Sequence, residues 1–173
     1  MPTVAPDTSE TLDLAALYDR HGARLFGYAR LLTRSAQGAE DAVQDAFVRL
    51  AQRGDLEGVH DVERYLFRTV RNEALRQLGR WARWRARNEL VGEFRLQEST
   101  DPTAGAERRE RAQRIERALA ELPAPQREVV VLKVWHELTF EAIGEVLDVS
   151  PNTAASRYRY GAQKLREVLD RDA

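Results

Sequence analysis

Asp148 to Arg166 reads DVSPNTAASRYRYGAQKLR, and this stretch decides the fold. Ser150 suits a helix N-cap, because its hydroxyl accepts from a backbone N–H that the helix itself leaves unpaired. Pro151 suits the first helical position, where no N–H is needed. Asn152, Thr153, Ala155, Ser156, Arg157 and Arg159 follow before Leu165, Val168 and Leu169 restore an apolar stripe. A helix whose first two turns are small, polar and then basic can enter a narrow charged space. The major groove of DNA is such a space.

Working outward, Thr139 caps a short helix beginning Phe140-Glu141-Ala142-Ile143, with Ile143, Val146 and Leu147 on its apolar face. The turn Asp148-Val149-Ser150 joins it to the next helix. Asp148 stands where such turns need a positive φ, which Asp tolerates less well than Gly. Short helix, three-residue turn and second helix make the helix-turn-helix arrangement. A plain helical hairpin would share the spacing. However, Ala154, Ala155 and Ser156 are poor core fillers, and Arg157 and Arg159 are poorly suited to burial.

Almost every other periodic segment also reads as helix: 12–32, 37–52 closed by Gly54, 62 to about 87 capped by Asp61, 107–122, 125–135, 140–147 and 151–170. The apolar stripe fades between 88 and 106, where Ser-Thr-Asp-Pro-Thr-Ala-Gly occurs. That composition marks a linker. The expected fold is all-α, with two small helical domains on a flexible linker: a disordered N-terminus at 1–9, a first domain at 10–88, the linker at 89–107 and a second domain at 108–173.

Composition narrows the function. Charged residues are 32% of the 173-residue chain and hydrophobic residues 43%, which allows helical cores. There is no Cys, so neither disulfides nor thiolate chemistry. No apolar run approaches the roughly 20 residues of a membrane span, and the N-terminus lacks signal-peptide character. A cytoplasmic protein without membrane contact is the expectation. His21, His60 and His136 lack metal-ligand spacing, and no P-loop or catalytic triad is recognisable, so neither an enzyme nor a cofactor is expected.

The formal charge of −1 hides segregation. Between Arg64 and Arg87 stand eight arginines and one acid, Glu73. On a helix Leu66, Phe67, Val70, Ala74, Leu78 and Trp81 share one arc. Arg64, Arg68, Asn72, Arg76, Arg80 and Arg83 form a stripe opposite. A solvated face would more often mix signs; a one-sign stripe points to phosphates. Asn72, its neutral member, can donate to and accept from a base edge. A third surface lies at 40–48. With Val43, Phe47 and Leu50 inward, Asp41, Gln44, Asp45 and Val48 share the outer face. Taken alone, acids there also complement a helix dipole.

The motifs AEDAVQDAFVRL, RYLFRTVRNEALRQL and LPAPQREVVVLKVWHELTFEAIGEVLDVSPNTAASRYRYGAQKLR occur in that order. The chain thereby resembles bacterial RNA polymerase sigma factors of the extracytoplasmic-function (ECF) type, in the sigma-70 family, over nearly its whole length. The resemblance implies a sigma-2 domain followed by a sigma-4 domain. It implies that Asp41, Gln44, Asp45 and Val48 hold core RNA polymerase. The −10 element of the promoter would fall to His60, Arg64, Arg68, Asn72, Arg76 and Arg80, acting on the melted non-template strand. The −35 duplex would fall to Asn152, Thr153, Ala155, Ser156, Arg157, Arg159 and Tyr160. An anti-sigma factor is a further candidate partner. Gly144 stands where the family usually has Ala, Asp148 where it has Gly, and Ala155 where a basic residue is frequent. Arg159 occupies a place where an aromatic or His is common. His60 is nearest to the aromatic usual before the long helix. The alternative is a stand-alone helix-turn-helix regulator with a helical oligomerisation domain, which leaves the acidic helix and the Arg stripe without a role.

Overall fold

The computed structural model of the chain describes residues 12–88 and 105–171, with side chains for all of these but 81–88 and 106–109. The described residues form seven helices and no strand: α1 Leu14–Thr33, α2 Ala36–Arg53, α3 Val62–Asn88, α4 Ala106–Ala120, α5 Ala124–Val134, α6 Phe140–Leu147 and α7 Pro151–Arg171. The expectations for 1–9 and for most of the linker, and those for the side chains of Trp81 and Arg83, fall outside the described part.

Local chemistry sets the helix ends. Asp13 caps α1 by accepting from the Ala16 N–H at 2.9 Å, and Ser35 caps α2 by accepting from the Gly38 N–H at 3.2 Å. Asp61 does the same for α3 through the Arg64 N–H at 2.9 Å. That bond holds the Asp61 carboxyl below its usual range. Gly54, at φ 81°, ends α2 in the left-handed region that glycine enters without strain.

One apolar core runs through both halves of the molecule, and a smaller one adjoins it. Leu25, Tyr28, Val43, Leu50, Leu66, Phe67 and Val70 join α1, α2 and α3. Val129, Leu132, Ile143, Val146 and Ala154 join α5, α6 and the start of α7, and Leu119, Leu122, Val130 and Val131 tie in α4.

The halves also pack on each other, α6 against α3 and α5 against α1. This junction is rich in polar groups. The Tyr28 hydroxyl donates to Glu128 Oε1 at 2.7 Å, and Arg71 Nε donates to the same oxygen at 2.8 Å. A buried tyrosine needs a partner for its O–H, and Glu128 supplies it from the other half. Arg24 donates to the His136 carbonyl at 2.6 Å, and Arg64 donates to Glu145 at 2.5 Å. The His136 ring lies 4.8 Å from that of Phe67 and 6.0 Å from that of Tyr28. Burial, then the nearby charge of Arg24, pushes the His136 pKa down to about 4, so the ring is neutral at pH 7.

Candidate nucleic-acid and polymerase interfaces

The helix-turn-helix is built tightly. The Asp148 backbone adopts φ 57° at the end of α6, and the Val149 N–H donates to the Gly144 carbonyl at 2.9 Å. A Cβ on Gly144 would meet the Val149 carbonyl oxygen at 2.7 Å. Gly144 therefore has a steric reason: the turn folds back onto α6 with no room for a methyl. Ser150 caps α7, accepting from the Thr153 N–H at 3.0 Å while its hydroxyl meets that of Thr153 at 2.8 Å. Gly161 lets α7 lie close on α5, since a Cβ there would meet Val130 Cγ2 at 2.9 Å.

This packing divides the residues of α7. Ala154 is buried, holding the helix to its own domain. Asn152, Thr153, Arg159 and Tyr160 are exposed, and Ala155, Ser156 and Arg157 are half-buried. Tyr158 turns inward onto Phe140, ring centroids 5.7 Å apart, whereas Tyr160 is 56% exposed under the Arg159 guanidinium. No ion pair engages Arg157 or Arg159 among the described residues.

On α3, Leu66, Phe67, Val70 and Ala74 are buried as expected. Arg68, Asn72, Arg76 and Arg80 are exposed along the outer side. The stripe is not uniform. Arg64 is half-buried, paired with Asp61 at 3.1 Å and with Glu145 of α6 at 2.5 Å. Arg76 pairs with Asp45 at 3.5 Å and with Glu73. His60 is exposed in the preceding loop, which is ordered by the Glu57 N–H donating to Asp55 Oδ1 at 2.9 Å.

On α2, Asp41, Gln44 and Val48 are exposed, and Asp45 is half-buried against Arg76. Val48, at 47% exposure, is an apolar side chain left in water at the end of this face, one turn after Asp45. Gln37 donates to Asp41 at 2.8 Å one turn earlier.

Sequence reasoning passed over Glu128, Tyr28, Arg71, Arg24 and His136 as a connected group. One signal was available: Glu128 stands in QREVVVLKV, a charge on the edge of an apolar run, where a carboxylate needs a partner. Among the described residues no group of acids and histidines could hold a metal ion, and no helix is long and apolar enough to cross a membrane.

Comparison with known proteins agrees with this geometry. The model for sigma-70 region 2 matches residues 17–85, and that for sigma-70 region 4 matches residues 112–165. The ECF RNA polymerase sigma factor SigL of Mycobacterium tuberculosis is 30% identical over 93% of this chain and 91% of its own. The RNA polymerase sigma factor CarQ of Myxococcus xanthus is 30% identical over 88% of this chain and 87% of its own. Among solved structures, the sigma factor RpoE of Bartonella quintana, in complex with the anti-sigma factor NepR, superimposes with a TM-score of 0.78. It is 23% identical and covers 93% of this chain and 99% of its own. CnrH, in complex with the cytosolic domain of CnrY, gives 0.65 at 24% identity over 92% and 89%.

The chain belongs to the ECF sigma factors of the sigma-70 family. Its function is to direct RNA polymerase to promoters and start transcription there, and the family is not a class of enzymes. A stand-alone helix-turn-helix regulator is not favoured, because it has no place for region 2.

Proposed function

We propose a division of labour among three faces: core RNA polymerase on α2, the opened −10 element on α3 and the −35 duplex on α7. Domain limits of 10–88 and 108–173, joined through 89–107, go with it, as does action in the cytoplasm.

Asp41, Gln44, Asp45 and Val48 would bind the polymerase. The observation that carries this is Val48, 47% exposed one turn after Asp45 and two turns after Asp41. An exposed apolar side chain beside charged ones suits a protein partner better than water. His60, Arg64, Arg68, Asn72, Arg76 and Arg80 would hold the melted strand, the arginines on phosphates and Asn72 on a base edge.

For α7, the shape of the exposed face supports duplex readout. Small residues in the first two turns let the backbone approach the groove. Asn152 and Thr153 lie at the helix N-terminus, which favours phosphate. Ala155 offers a methyl surface to thymine, Ser156 can bond several bases, and Arg159 can grip a guanine with two hydrogen bonds. Arg157 and Tyr160 would run along the sugar-phosphate backbone.

An anti-sigma factor is a further partner, on the precedent of the complexes of RpoE with NepR and CnrH with CnrY.

The test is a double charge reversal, Asp41→Arg with Asp45→Arg. It should abolish assembly with core polymerase while circular dichroism stays unchanged. Normal assembly in the double variant would remove α2 from the interface.

A further inference from the structure

Arg76 stands between two acids that have different surroundings. Its guanidinium lies 3.5 Å from Asp45 Oδ2 on α2 and closes on Glu73 of its own helix. Arg49 of α2 closes on the same Glu73. Glu73 is the lone acid in the basic run of α3, and its side chain is 4% exposed. A carboxylate so buried must be met by charge, and the two guanidiniums meet it. Asp45 is 42% exposed and belongs to the acidic face of α2. Its pair with Arg76 is the weaker and more open of the two contacts.

We infer that Arg76 couples the polymerase face to the strand face: Asp45 holds it toward α2 in the free chain, and a cationic group that occupies Asp45 releases it to a phosphate. The inference rests on the faces assigned under the proposed function. A partner that matches Asp41 and Asp45 must bring positive charge to them. That charge competes with Arg76 for Asp45, and an exposed ion pair is weak enough to yield. Glu73 still anchors the released guanidinium, so it stays beside the stripe. Coupling of this kind is reciprocal. A phosphate drawn onto Arg76 leaves Asp45 open to the polymerase.

The experiment measures affinity of the full chain, without polymerase, for a short single-stranded DNA of mixed sequence at low salt. Asp45→Asn should tighten binding about 2–5-fold. Glu40→Gln removes the same charge from an exposed position on the same helix, away from the Arg76 pairs, and corrects for net charge. Arg76→Ala should weaken binding. In the Arg76→Ala background, Asp45→Asn should do no more than Glu40→Gln. If Arg76→Ala weakens binding but Asp45→Asn only matches Glu40→Gln, the coupling is wrong and the strand face stands. If Arg76→Ala leaves affinity unchanged, Arg76 is not part of the strand face, and the coupling falls with it.

Discussion

The two helices assigned to DNA differ in how their positive charge is kept. On α7, Arg157 and Arg159 carry no ion pair among the described residues, and α7 is fixed by Ala154, Gly161 and the Ser150 cap. On α3, Arg64, Arg71 and Arg76 are each engaged by an acid of another helix: Glu145, Glu128 and Asp45. Two of those acids belong to the other half of the molecule. A duplex is present before polymerase acts, so under the proposed division of labour a ready-made reading helix suits it. A melted strand exists only once polymerase has opened the promoter, and a stripe partly satisfied from within suits that order of events.

The contrast breaks most sharply at Arg71. Removing it leaves Glu128 buried with only the Tyr28 hydroxyl, and Arg71→Ala should cost about 3–5 kcal/mol in urea denaturation. A loss below about 1 kcal/mol would mean that water replaces the guanidinium easily and that the junction is loose.

Acid should act next. The His136 pKa is pushed down to about 4 by burial and by Arg24. The unfolded chain therefore takes up a proton near pH 6.5, before the folded one does. The contribution of neutral His136 is present above pH 6.5 and is lost as pH falls toward 4, reaching about 3 kcal/mol. Subtracting the stability profile of His136→Leu from that of the native chain isolates this loss. Parallel profiles would place the pH sensitivity elsewhere.

On α7 the effect should be smaller and sequence-dependent. Arg159→Ala should cost about 1–3 kcal/mol on the preferred upstream element and relax one base position. Arg157→Ala should weaken binding evenly across sequences. Selection from a randomised upstream element by holoenzyme carrying each variant decides between them, and the opposite pattern would exchange the two arginines.

What was legible in the sequence follows from how local the determinants are. Helices α6 and α7 were readable because caps and apolar spacing lie within a few residues: Thr139, Ser150, Pro151 and the run Ile143, Val146, Leu147. Asp61 and Gly54 announced the ends around the 55–61 loop in the same way. Which of Tyr158 and Tyr160 turns inward depended on Phe140 of the preceding helix. The junction was not legible. Tyr28, Arg71 and Glu128 are far apart in sequence, and each alone looks like an ordinary helical residue. Of the partial neutralisation of the stripe, the pairs of Arg64 with Asp61 and of Arg76 with Glu73 are three residues apart, whereas the share of Glu145 and Asp45 was hidden because those acids lie far off in sequence.

Division of labour between α3 and α7 is tested most directly by holoenzyme binding to a single-stranded oligonucleotide carrying the −10 element. Asn72→Ala should weaken that binding by about tenfold, and Arg159→Ala should leave it unchanged. Equal affinity of the Asn72→Ala and native holoenzymes would return Asn72 to a merely solvated face and contradict the assignment of α3 to the opened strand.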